Sequence, residues 1–226
     1  MEEFLGVLFC GGRGIRIGKL TKYISKSFIP VYDKPVFEFG LELLINSRSV
    51  SEIILLTNND NDDKLRKLGF RTIIQDDSRV TDMFSGWDYV KEVTGTKKHG
   101  VLIPSDNICK IKVDKLIEKF ITKKAGFLFS LHRIKDKIKL SEMGSYDPEN
   151  KKFIYKNRDP KSAYGVIAPY IIRNDLNYKT DINIFENKNS YSLIHRGYWF
   201  DLGDYESIAD ANAWFRRKNK IKQAGL

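Results

Sequence analysis

Cysteine is scarce in this chain of 226 residues: Cys10 and Cys109 are the only two. Both stand beside expected strand ends with no second ligand cluster nearby, which favours reduced structural thiols over a disulfide or a zinc site. No apolar run approaches the roughly 20 residues that span a bilayer. Met1-Glu2-Glu3 lacks the basic opening of a secretion signal, so a cytoplasmic chain with no membrane partner is expected. No internal repeat, low-complexity tract or linker marks a boundary. With 42% apolar side chains, residues 1–226 read as one domain with a single sizeable core.

Acidic residues are also in deficit, 29 against 39 lysines and arginines, for a formal charge of +10. Such an excess suits nucleic acid, an anionic surface or anionic small substrates. The lysines are scattered along the whole length, and no stacking aromatic motif or basic helix stands out, so nucleic acid is not an expected partner. Oligomeric state is not legible; a homo-oligomer is compatible with everything above.

Hydrophobic periodicity alternates strands with helices. Leu5 to Phe9 reads as a buried strand and Val36 to Asn46 as a helix with Phe37, Leu41 and Leu44 on one stripe. Glu52 to Thr57, Arg71 to Gln75, Gly100 to Pro104 and Gly126 to Leu131 read as further strands. Asp62 to Leu68, Thr81 to Val93 and Val113 to Thr122 are the helices between them. Beyond residue 131 shorter pieces, Lys152 to Tyr155, Tyr164 to Ile172 and Ser190 to His195, suggest a mixed-sheet extension rather than more βαβ units. Asp204 to Phe215 is the closing helix, packing Ile208, Ala211 and Phe215.

The stretch from Leu8 to Pro35 carries the chemistry. The first strand runs into Gly11, Gly12 and Gly14, where missing side chains allow unusual dihedrals and let main-chain N–H groups approach an anion. Arg13, Arg16, Lys19 and Lys26 follow within reach, so a nucleoside triphosphate is the first candidate ligand. Two familiar fingerprints fail on spacing. Gly12 and Gly18 enclose five residues where a P-loop has four, and Leu20 follows Lys19 where a metal-binding hydroxyl is needed; a dinucleotide fold needs glycine where Ile17 stands.

Gly11-Gly12-Arg13-Gly14-Ile15-Arg16-Ile17, then Thr21, then Lys26-Ser27-Phe28-Ile29-Pro30-Val31, resembles the signature of the sugar-1-phosphate nucleotidyltransferases, particularly the glucose-1-phosphate thymidylyltransferases. Tyr32-Asp33-Lys34-Pro35 continues the match, with Ile15 replacing a usual hydroxyl residue. Leu102-Ile103-Pro104-Ser105-Asp106-Asn107-Ile108 is similar to the family's L-G-D-N-I, and Trp199-Phe200-Asp201-Leu202-Gly203-Asp204 to its W-x-D-x-G-[TD]. Each aspartate alone reads as a turn or cap; together the resemblance implies a shared magnesium ion on Asp106 and Asp201. Gln75 falls where the family has a base-reading glutamine, although a buried amide serves a backbone equally well.

The resemblance implies an α/β fold: a Rossmann-like (GT-A-like), mostly parallel central sheet with helices on both faces and a small mixed-sheet extension, about residues 132–200, for the acceptor. It also implies a reaction, in which a phosphorylated sugar-like acceptor attacks the α-phosphorus of dTTP or UTP, or less readily CTP, and pyrophosphate leaves. Arg16 and Lys26 would be the catalytic cations, and Gly11, Gly12, Gly14 and Gln75 would bind nucleotide. The acceptor side departs from the pattern. The family's E-K-P becomes Arg158-Asp159-Pro160, with Lys161 a one-residue shift away, and Ile167-Ala168 stands where a small polar residue and glycine are usual. Gly144 reads either as an acceptor-site glycine or as a plain turn. A relative on the same fold that binds nucleotide but has lost transfer is the alternative.

Overall fold

A computed structural model describes residues 2–12, 14–178 and 181–223. In chain order the elements are β1 (Phe4–Phe9), the short hairpin β2 (Pro30–Val31) and β3 (Lys34–Pro35), α1 (Val36–Ile45), β4 (Val50–Thr57), α2 (Asn59–Lys67), β5 (Thr72–Ile74) and α3 (Met83–Thr94). The second half holds β6 (His99–Pro104), β7 (Asn107–Cys109), α4 (Val113–Thr122), β8 (Phe127–Arg133), α5 (Lys137–Ser141), β9 (Gly144–Asp147), β10 (Lys152–Tyr155) and β11 (Tyr164–Ile172). It closes with α6 (Asp181–Glu186), β12 (Ser190–His195), β13 (Trp199–Asp201) and α7 (Tyr205–Gln223).

The expected α/β fold is present. Nine strands form one sheet in which β5, β4, β1 and β6 lie side by side and parallel. Successive side chains of a strand point to opposite faces, and both faces are covered. Leu8 of β1, Leu55 of β4 and Val101 and Ile103 of β6 pack against α1 and α4. Leu5 and Val7, Ile54 and Leu56, and Leu102 pack on the other side against Phe84, Trp87 and Val90 of α3. This double burial explains why these strands read as continuous apolar runs. Among the described residues no helix is long and apolar enough to cross a membrane.

The second half is less simply an extension than expected. β11 is a long strand of the main sheet, antiparallel to both β6 and β8, and β12 adds parallel to the outer side of β8. Only β9 and β10 form the appended hairpin. Gly144, left between an acceptor-site glycine and a turn, opens β9, and a side chain there would strike the ring of Phe153 at 2.6 Å. The closing helix continues past Phe215 to Gln223. Cys10 and Cys109 are free and buried, and burial pushes both thiols up to about 12, as fits inert structural cysteines.

Candidate functional site

The parallel strands β1, β4, β5 and β6 deliver their carboxyl ends to one edge, where open α/β sheets hold ligands. The backbone leaving β1 is tied down at once. Cys10 N donates to Leu56 O at 2.7 Å. Its carbonyl accepts from Asn61 Nδ2 at 2.9 Å and Ser27 Oγ at 3.1 Å, and Asn58 Nδ2 donates to Gly11 O at 3.3 Å. Asn61 is fully buried in the first turn of α2. The glycine turn is therefore held rigid from beneath, by side chains that the sequence does not mark as functional.

The glycines have different reasons for being glycine. A Cβ on Gly11 would run into Oε1 of Gln75, so the amide occupies the space a side chain would need. Gly14 has φ +63°, the left-handed region, and also faces the Cβ of Lys26 at 3.0 Å. Nothing lies within 4 Å of the corresponding position on Gly12, whose main chain is open to a ligand. Arg13 lies outside the described residues.

Lys26, on a short turn after this loop, is 8% exposed and forms an ion pair with Asp106 at the end of β6. A two-stranded antiparallel pairing of β7 with β13 then sets Asp201 opposite Asn107, and Leu202 N donates to Asp106 O at 2.9 Å. Asn107 Nδ2 donates to Oδ1 of Asp106 at 3.0 Å and to Oδ1 of Asp201 at 3.4 Å. Its own Oδ1 accepts from Trp199 Nε1 at 2.9 Å. The two carboxylates are thus clasped by one amide whose orientation the indole fixes. Burial, then the Asp106 charge, push the Asp201 carboxyl up to about 6; Lys26, Arg16 and Lys139 pull against this without cancelling it. The Arg16 guanidinium lies against Gly203, 3.3 Å from where a Cβ would stand.

Paired carboxylates that repel one another, and that offer hard oxygen donors, Asp106 just before β7 and Asp201 at the end of the paired β13, fit a magnesium ion. Among the described residues no cluster of three or more His, Cys, Asp or Glu is arranged around a metal. The remainder of a coordination shell would therefore come from substrate phosphate and water, which is how magnesium is usually held.

A cavity of about 460 Å³ is lined by Gly11, Gly12, Lys26, Gln75 and Asp106. A second, of about 610 Å³, shares Asp82 and Met83 with it and contains Gly144. A third, of about 360 Å³, lies on the other side of Asp201 and is lined by Arg16, Lys139 and Gly203. Gly11, Gly12, Lys26, Gln75 and Asp106 line the first of these spaces and Arg16 and Asp201 the third, while Gly14 lines none of the three and packs against Lys26. Lys161 is exposed on the loop between β10 and β11, beside exposed Arg158 and Asp159, and lines none of the three cavities. Ile167 and Ala168 are buried in the sheet. Sequence reasoning missed Asn107, Gly203 and Lys139. Asn107 and Gly203 stand inside the matched motifs, whereas nothing in the sequence marks Lys139.

A parallel sheet that ends in a glycine turn, a buried lysine and two clasped carboxylates defines a nucleotide-handling α/β protein. The chain belongs to the nucleotidyl transferase family, whose model matches residues 5–139, more than half of its length. It is 22% identical over 252 aligned positions to a glucose-1-phosphate thymidylyltransferase of Neisseria gonorrhoeae, covering 96% of this chain and 84% of that one. A 70-residue stretch is 34% identical to a protein of Thermococcus gammatolerans provisionally named a molybdenum cofactor guanylyltransferase; it spans 31% of this chain and only 34% of that protein's length. In structure the chain is similar to a Bacillus anthracis protein, provisionally named a glucose-1-phosphate thymidylyltransferase, in complex with sucrose. The TM-score is 0.80 at 22% identity, covering 93% and 94% of the two chains, a likeness of fold.

Proposed function

We propose that this protein joins a nucleoside triphosphate to a sugar 1-phosphate or similar phosphorylated acceptor, releasing pyrophosphate. The observation that carries this reading is the Lys26–Asp106 ion pair, which lines the 460 Å³ cavity and is continued through Asn107 to Asp201 on the 360 Å³ cavity. The acceptor phosphate is already an anion at neutral pH, so no side-chain nucleophile is required. The protein's task is to align two anions and offset the charge that develops at the α-phosphorus.

The main-chain N–H groups around Gly11 and Gly12, with Arg16, hold the β- and γ-phosphates. Lys26, in reach of both the glycine turn and Asp106, meets the charge shared between acceptor and α-phosphate. Asp106 and Asp201 would hold magnesium, which when bound polarises the α-phosphate as a Lewis acid. Asn107 ties the two carboxylates together through its Nδ2. The acceptor's phosphorylated end enters beside Asp106, and the remainder lies toward Gly144 in the adjoining cavity. Resemblance to the thymidylyltransferases favours dTTP or UTP and leaves CTP compatible.

Exposure of Arg158 and Lys161 supports the second reading, a nucleotide binder that has lost transfer, because the family's acceptor-binding cation has no counterpart lining these cavities. Pyrophosphate release in the presence of magnesium, over five nucleoside triphosphates crossed with a panel of phosphate monoesters, separates the two. Release that depends on one acceptor supports transfer. Tight nucleotide binding with no release across the panel supports the lapsed binder.

A further inference from the structure

The cavity of about 610 Å³ beside the nucleotide cavity is the space left for the body of the acceptor. Five of its lining residues are aromatic, namely Phe84, Phe153, Tyr155, Tyr170 and Phe185, and the rest are apolar or glycine apart from Asp82. Phe153 and Phe185 stack with centroids 4.2 Å apart and planes 15° apart. Phe84 and Tyr170 stack at 5.8 Å and 12°, and they meet Phe185 at 78° and 83°. The lining therefore presents ring planes of two nearly perpendicular orientations. Gly144 belongs to this arrangement: a Cβ there would strike the Phe153 ring at 2.6 Å, so the glycine makes room for the ring.

Asp82 lines both this cavity and the nucleotide cavity, so it stands where the two meet. Its Oδ1 caps α3, accepting from Phe84 N and Ser85 N at 2.8 Å each. Its Oδ2 has no hydrogen-bond or ion-pair partner among the described residues. Among those residues no lysine, arginine or histidine lines the cavity; Lys156 lies over the Tyr155 ring, 5.1 Å from its centroid, but outside the lining. A sugar's hydroxyls and a primary ammonium each bring several donors, and the side chains here offer them one carboxylate and two phenols. A quaternary ammonium has no N–H to satisfy. Its alkyl groups bury against the rings, while its charge is drawn to aromatic faces and to the Asp82 carboxylate.

Resting on the nucleotidyl-transfer reading above, we infer that the acceptor is a phosphate monoester whose other end is a quaternary alkylammonium rather than a sugar, held in this aromatic cavity with Asp82 as its counter-charge. The test is pyrophosphate release by the full chain, with magnesium and each of the five nucleoside triphosphates, over a matched set of acceptors: trimethylammonioethyl phosphate, its neutral dimethylbutyl isostere, aminoethyl phosphate and glucose 1-phosphate. The trimethylammonio ester should be used with kcat/KM about tenfold or more above the others. In Asp82→Asn the carboxamide caps α3 as well as the acid does, so the fold is kept. Asp82 is exposed and its field is screened, so the variant should narrow the lead over the neutral isostere about threefold, through KM. Best use of glucose 1-phosphate or of any other ester lacking a quaternary nitrogen, use of the neutral isostere equal to that of the cation, or a lead that Asp82→Asn leaves unchanged overturns the inference while nucleotidyl transfer stands. If no triphosphate releases pyrophosphate with these acceptors or with the wider monoester panel, the nucleotidyl-transfer reading itself falls, and this inference with it.

Discussion

Replacing Asp201 by Asn isolates the electrostatic strain in the paired carboxylates. In the folded protein its carboxyl is raised from 3.8 to about 6, first by burial and then by the Asp106 charge. At about 1.4 kcal/mol for each tenfold change in proton affinity, the ionised form costs the fold about 3 kcal/mol, and water at the exposed edge of the site lowers this to about 1–3 kcal/mol. The sign follows from the direction of the shift. The unfolded chain releases this proton more readily, so the penalty is absent below about pH 3.8, grows between there and pH 6, and is full above pH 6. A carboxamide does not ionise, and its oxygen still accepts from Asn107. Asp201→Asn should therefore make the metal-free protein more stable at pH 8 by about 1–3 kcal/mol. For a chain of this size that is a rise in Tm of about 2–10 °C, shrinking as the pH falls toward 4. Thermal melts in EDTA at pH 5 and pH 8 measure it. Millimolar magnesium should stabilise the unaltered protein and not the variant, because only a ligand that binds the native state raises Tm. An Asn variant no more stable than its parent at pH 8 would refute the idea that this carboxylate is a charge awaiting a cation.

Three further outcomes test the parts around it. Lys26→Ala or Asp106→Asn should lower turnover at least about 100-fold with the fold retained by circular dichroism, since each removes a charge at the reacting phosphorus. Gly11→Ala, whose Cβ would run into Gln75 Oε1, should displace that amide and weaken nucleotide binding about tenfold or more by calorimetry. Asn61→Ala leaves the Cys10 carbonyl and Ser25 Oγ without its amide. Denaturant unfolding should show a loss of about 1–3 kcal/mol, the usual cost of stranding buried polar groups.

The strands of the first half were legible because burial on both faces makes each one a plain apolar run bounded by polar turns. Val113 to Thr122 was legible because Val113, Leu116, Ile117 and Phe120 all point inward at helical spacing. β7 and β13 were not, because three residues each carry no period; yet their pairing is what places Asp201 opposite Asn107. The position of β11 against β6 was also hidden, since a local pattern does not say which strand a segment will join. At the site, Gly11 and Lys26 could be nominated from the glycine loop and the cations that follow it, whereas Asp106 and Asp201 were nominated only through the family resemblance of their motifs. Asn107 was within the same motif, but its clasp on both carboxylates exists only once two distant loops meet. Lys161 shows the opposite case: adjacency in sequence to a displaced motif suggested a role, while the loop it sits on keeps it in solvent.

If Lys26 and the Asp106–Asp201 pair serve transfer of a nucleotidyl group, the α-phosphate must end up on the acceptor. The most direct test is to follow α-phosphate-labelled triphosphate with magnesium and a phosphate monoester acceptor that the release panel has identified. Label should leave the triphosphate and appear in the acceptor-linked product, one equivalent for each pyrophosphate released. Label accumulating as free nucleoside monophosphate, or staying in bound triphosphate whatever the acceptor, would contradict nucleotidyl transfer at this site.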